Sequence, residues 1–160
     1  MDSKKTGNQT IVFANSPYIL AGHTIVGPME GKGPLGASFD KILKDTYDGE
    51  KSWEKTEAKM LENVMRDVAN KADIPLDTVD YILSGDLLNQ IISSNFAARQ
   101  LGLPFIGIYG ACSSMALSIA LGSMLIDGGF GSRVICSTSS HHETAERQYR
   151  LPTEQGNQRA

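Results

Sequence analysis

Between Arg99 and Asp127 the chain carries no Asp, Glu, Lys or Arg, and this run constrains the fold more than any other feature. A stretch longer than the ~20 residues needed to cross a bilayer is either a membrane span or a buried piece of a globular core. Gly102, Pro104, Gly107 and Gly110 interrupt its first half, and serines 113, 114, 118 and 123 dot its second. These breaks predict a strand over 104–108, a tight turn at Tyr109-Gly110 and an apolar helix over 113–126, not one spanning helix. With no charge on any face, that helix is expected to be buried on all sides.

The flanking sequence extends the pattern. Residues 52–72 place Met60, Leu61, Val64, Met65, Val68 and Ala72 at three- and four-residue spacing, with Lys59, Glu62, Arg66 and Asp67 opposite. That is a surface helix packed on a core, its methionines serving as filler. Asp73, Pro75 and Asp77 stop it, a strand follows at 79–84, a helix from about 90 to 101, and a last strand at 133–138 after Gly128-Gly129. Alternating apolar strands and helices predict parallel βαβ units in a layered α/β sheet. Towards the N-terminus, 1–9 reads as a polar leader, 10–14 (TIVFA) as a first strand, 21–36 as a long glycine- and proline-rich loop, and 37–47 as a short helix ending near Gly49. From residue 140 the sequence turns polar and stops without the closing strand or covering helix that a parallel sheet normally ends with.

Composition narrows the class. The 160 residues are 41% hydrophobic and 21% charged with a net charge of −3, an ordinary globular balance with no basic footprint for nucleic acid. Two cysteines, Cys112 and Cys136, in no CxxC pair support neither a zinc site nor a disulfide scaffold. The N-terminus lacks the apolar core and cleavage site of a signal peptide. No cofactor motif is present.

The strongest chemical constellation is Gly110-Ala111-Cys112-Ser113-Ser114, between a buried strand and the uncharged helix. It puts the Cys112 thiol at a helix N-terminus, where the dipole and free N–H groups favour a thiolate or an oxyanion. Gly110 admits a turn that a side chain would obstruct. The alternative is a small buried Cys112 with Ser113 as helix cap. Asp86 follows strand 79–84 at the strand edge where α/β sheets place ligands, or else caps a turn with Gly85. Asn89 and Gln90 could donate to a carboxylate or cap the next helix. His141, His142 and Glu143 suggest metal at first sight, but adjacent histidines diverge, so Ser139 or Ser140 is expected to begin a helix whose first turn takes Glu143. Cys136 reads as inert core and His23 as solvent-exposed.

GACSS ahead of an uncharged helix resembles the cysteine region of the thiolase and β-ketoacyl synthase superfamily. GPLG at 33–36, SGDLLNQ at 84–90, IDGGF at 126–130 and TAERQYRLPTEQG at 144–156 resemble, more closely, the stage V sporulation protein AD family of spore-forming Firmicutes, from about residue 10 to the last residue. The resemblance implies a thiolase-like fold of two βαβαβαββ halves, with residues 10–160 as a C-terminally truncated first half. It implies binding of dipicolinic acid (pyridine-2,6-dicarboxylate), as the free acid or its calcium chelate, for uptake into the developing spore. It also implies a peripheral place at the spore inner membrane, among the other subunits of the stage V sporulation A assembly, and a homodimer as the common state. Cys112 and Asp86 then become candidate pocket residues, supported by Ser113 and Asn89. Arg147 and Arg150 are guanidinium partners for a dianion, or a solvated polar face. Acyl transfer with Cys112 as nucleophile and a scaffold subunit that binds nothing small are the alternatives. The catalytic histidine and second cysteine of thiolase-type enzymes come from the second half, so turnover by this chain alone is not expected.

Overall fold

The computed structural model describes residues 4–145. The hairpin β1 (Lys5–Thr6) and β2 (Thr10–Ile11) comes first, then the parallel pair β3 (Ile25–Val26) and β4 (Lys41–Ile42), with the short helix α1 (Pro28–Gly31) between them. The main body runs α2 (Trp53–Lys71), β5 (Tyr81–Gly85), α3 (Ile92–Leu101), β6 (Phe105–Gly107), α4 (Ser114–Asp127) and β7 (Val134–Thr138). Its strands form one parallel sheet in the order β6-β5-β7, as the alternation of apolar strands and helices predicts. Among the described residues no helix is long and apolar enough to cross a membrane.

The period of two along β5 sorts the layers. Ile82 and Ser84 face α2 and α3, where Leu61, Met65, Ala97 and Ile135 complete the core. Leu83 and Gly85 face α4, in register with Cys136 and Thr138 of β7. Ser52 caps α2 by accepting a hydrogen bond from the Lys55 N–H at 3.4 Å, and Glu62 pairs with Arg66 on the solvent side at 2.9 Å.

Three expectations fail, each for a physical reason. Residues 10–14 supply only the two-residue β2, paired with β1 outside the main sheet; Ile11 and Val12 stay about half exposed (47% and 56%). The helix expected over 37–47 is replaced by a single 3-10 turn (Gly36–Ser38) and β4. Thr24 and Asp40 bind each other there. The Thr24 N–H and hydroxyl both donate to the Asp40 carboxylate (2.9 and 3.1 Å), and the Asp40 N–H donates back to Thr24 Oγ1 (3.0 Å). Such side-chain-to-backbone bonds compete with helix. Nor is α4 buried all round: Ser114, Ser118 and Gly122 form its buried stripe, close against Cys136, while Met115, Leu117 and Met124 stand about 40% exposed (43%, 40% and 39%). Small residues at four-residue spacing seat this helix, and its larger side chains turn outward.

Candidate functional site at the carboxyl edge of the sheet

β5 delivers Ser84, Gly85 and Asp86 to the carboxyl edge. Gly85 is required by packing: a Cβ there would stand 2.1 Å from the Ile108 carbonyl oxygen and 3.0 Å from Ser114 Oγ. On the other side of the strand end, Thr138 Oγ1 donates to the Gly85 carbonyl at 2.9 Å. Asp86 is buried (5% exposed), and its own loop occupies both oxygens. The Leu88 N–H donates to Oδ1 (2.9 Å), and the N–H and hydroxyl of Ser94 donate to Oδ2 (2.8 and 2.7 Å). Ser94 lies in the first turn of α3, so Asp86 caps that helix from outside it. This explains why neither Asn89 nor Gln90 does so: Asn89 is exposed, and Gln90 and Ile91 take left-handed φ values of 57° and 48°. Asn95 Nδ2 steadies that turn by donating to the Gln90 and Ile91 carbonyls, both at 3.0 Å.

β6 leads through Tyr109-Gly110 into a 3-10 turn (Ala111–Ser113) that abuts α4. Cys112 is exposed in this turn, one residue ahead of the α4 N-cap, so the local sequence does present its thiol at the amino end of a helix. The left-handed residue is Ala111 (φ 45°), whereas Gly110 has an ordinary φ of −100°. Gly110 is needed for space, since a Cβ would meet Ser113 Oγ at 2.9 Å. Ser113 makes no cap; its hydroxyl donates to the Gly110 carbonyl at 2.7 Å and ties the turn. The Ser114 hydroxyl is buried without a partner among the described residues.

Sequence reasoning missed Glu57. It is 1% exposed on the inner face of α2, accepting from Ser139 Oγ at Oε1 (2.9 Å) and from Thr144 Oγ1 at Oε2 (2.6 Å). Burial pushes its carboxyl above the usual carboxylate range, against the opposing pull of those hydroxyls, and the like charge of Asp86 adds to the rise. The signal was available: Glu57, Leu61 and Met65 follow one another at four-residue spacing, so a charged residue sits in the apolar stripe.

The histidines also differ from expectation. His141 is buried, its Nε2 donating to the Thr46 carbonyl (3.0 Å) and its Nδ1 accepting from the Glu143 N–H (3.3 Å). It thus caps the turns over 142–145 in place of Ser139 or Ser140. His142 points elsewhere, to Glu143. His23 is enclosed, not exposed (side chain 13%), with Nε2 4.0 Å from Asp67. Cys136 is half-buried, donates to the Ser118 carbonyl (3.2 Å) and has its thiol pushed up to about 11 by burial, consistent with an inert core residue. Among the described residues no three His, Cys, Asp or Glu side chains gather as a metal site would require. Arg147 and Arg150 lie outside the described residues. A cleft of about 500 Å³ between α2, β7 and residues 21–26 reaches Glu57 and Ser139, but neither Cys112 nor Asp86 lines it.

The family model for stage V sporulation protein AD matches residues 7–160. The stage V sporulation protein AD of Bacillus subtilis (strain 168) is 43% identical over 156 residues, which cover 98% of this chain and 46% of that protein. The chain therefore spans a little under half the length of the curated relative it matches, and it belongs to the stage V sporulation protein AD family.

Proposed function

We propose that this chain forms the first, thiolase-like half of a sporulation protein that binds dipicolinic acid for uptake into the developing spore. In this reading it works as a peripheral subunit of the spore inner membrane assembly. The observation that carries the reading is the exposed Cys112 turn at the amino end of α4, beside the carboxyl end of β5. That is where α/β sheets receive ligands, and free helix N–H groups there favour a carboxylate. Ser113, Asn89 and the Arg147 guanidinium are the further groups proposed to meet the ligand. Asp86, with both oxygens already occupied, serves by holding the loop that carries Asn89.

Calorimetric titration of the folded chain with dipicolinic acid tests this. Saturable heat is expected, weakened by Cys112→Ala and abolished by Cys112→Trp, a change at an exposed position that leaves the core intact. No heat, or an unchanged affinity in Cys112→Trp, would overturn the assignment.

Acyl transfer with Cys112 as nucleophile is the second reading, favoured by the accessible thiol beside the left-handed Ala111. Against it, His141 has both ring nitrogens engaged, and His23 lies against Asp67 of α2. An acyl mass increase on the Cys112 peptide after incubation with acyl-CoA would replace binding with transfer.

A further inference from the structure

Residues 139–145 leave the sheet after β7 and fold back against α2, and one side chain holds them there. Glu57 receives the Ser139 hydroxyl at 2.9 Å, the Thr144 hydroxyl at 2.6 Å and the backbone N–H of His141, across 82 to 87 residues of sequence. Thr144 is completely buried, and its hydroxyl also lies 2.9 Å from the His141 carbonyl.

The charges around this carboxyl are arranged unusually. From the β5 end it faces Asp86, a like charge. From residues 139–145 it faces His141, whose Nδ1 accepts a hydrogen bond while Nε2 donates one, the pattern of a neutral imidazole. On α2 itself, the neighbouring Lys59 is committed to Asp48 and Glu50. His142 and Glu143 pair with each other at the surface. Burial, and then the carboxylate of Asp86, shift such a carboxyl towards its protonated form, against the opposing pull of the three donors. Thr144 suits that form as well, because it can pass its own hydrogen to the His141 carbonyl and accept from Glu57.

We propose that Glu57 is a pH-responsive latch for residues 139–145, closed over α2 when its carboxyl is neutral and loosened when the carboxyl ionises. The sign follows from linkage. Because the closed state raises the proton affinity of Glu57, closure is most stable at acidic pH. It weakens as pH rises above the ordinary glutamate value and levels off once the closed form has itself ionised. The device concerns α2 and residues 139–145, and it stands whether or not the cysteine turn binds a ligand.

Hydrogen exchange of the full chain at about pH 5 and about pH 8, corrected for intrinsic rates, tests it. Protection of 139–145 is expected to be partly lost at the higher pH, while β5 and α3 hold. In Glu57→Gln the amide can donate to Thr144 and accept from Ser139, so protection should be high at both values. An equal pH dependence in Glu57→Gln would assign the effect to His141 or another group and overturn the proposal. Should that variant not fold, an NMR titration of the native chain decides. The Thr144 and His141 amides must move together, with a midpoint above the ordinary glutamate value and distinct from that of the His141 ring protons. An ordinary midpoint, or one shared with the ring, would sink the latch.

Discussion

From α2 to β7 the chain buries Leu61, Met65, Ile82, Leu83, Ala97 and Ile135, whereas among residues 4–50 only Gly36 and Leu43 are buried. The first region is held by packing on a parallel sheet. The second is pinned at a few polar points: Lys4 and Asn15 on Asp127, Thr24 and Lys71 on Asp40, and Lys59 on Asp48. The difference teaches that one continuous chain uses two kinds of cohesion with different responses to mutation, acid and salt. Apolar burial is insensitive to pH and salt near neutrality, whereas exposed ion pairs and carboxylate anchors are weakened by both.

The contrast can be broken most sharply by truncation. Ile82→Ala should cost about 2–5 kcal/mol of unfolding free energy in a denaturant titration, because Ile82 is wholly buried between two layers. Ile42→Ala, at a position 45% exposed, should cost less than about 1 kcal/mol. Equal costs would erase the distinction. Glu57→Ala comes next, at about 1–3 kcal/mol, because it removes an acceptor from the buried Thr144 hydroxyl and from the partly buried Ser139 hydroxyl, and it tests whether a polar anchor inside the packed region behaves like core.

A smaller effect is expected from Asp127→Ala, which releases Lys4 and the Asn15 N–H. Amide exchange of residues 4–15 should accelerate markedly while the β5 amides keep their protection; a parallel loss in β5 would show that the N-terminal hairpin supports the core. The smallest concerns Asp40. The Lys71 ammonium, then the Thr24 N–H, hold its carboxyl down at about 2, below its unfolded value of 3.8. Its contribution is therefore complete above the unfolded value and is lost as pH falls through about 2. NMR signals of β3 and β4 should shift over that interval before those of β5 do. Asp40→Asn should remove the step, and its persistence would assign the acid response elsewhere.

Much of the packed region was legible in the sequence. The helix over 52–72, the strands at 79–84 and 133–138 and the strand-turn-helix around Cys112 carry periodic apolar patterns that local geometry converts directly into elements. The pinned region was not. Residues 37–47 have helix-compatible composition, but Thr24, far away in sequence, takes up Asp40 and turns the segment into β4. Burial assignments failed for a related reason. The uncharged α4 looked fully buried, yet the sheet accepts its serine and glycine stripe and leaves Met115, Leu117 and Met124 outside. Residue chemistry alone does not say which face of a uniformly apolar helix meets a partner.

By itself the sequence determined the parallel α/β body, the position of the Cys112 turn at the amino end of a helix, and membership in the stage V sporulation protein AD family. These follow from neighbouring residues, through steric preference, periodicity and motif spacing. Only the tertiary structure decided that Asp86 is occupied by Leu88 and Ser94, that His141 is a neutral cap, and that Glu57 lies buried beneath residues 139–145. The reason is physical. A polar side chain's role depends on which donors and charges reach it once water is excluded, and folding brings those partners from tens of residues away.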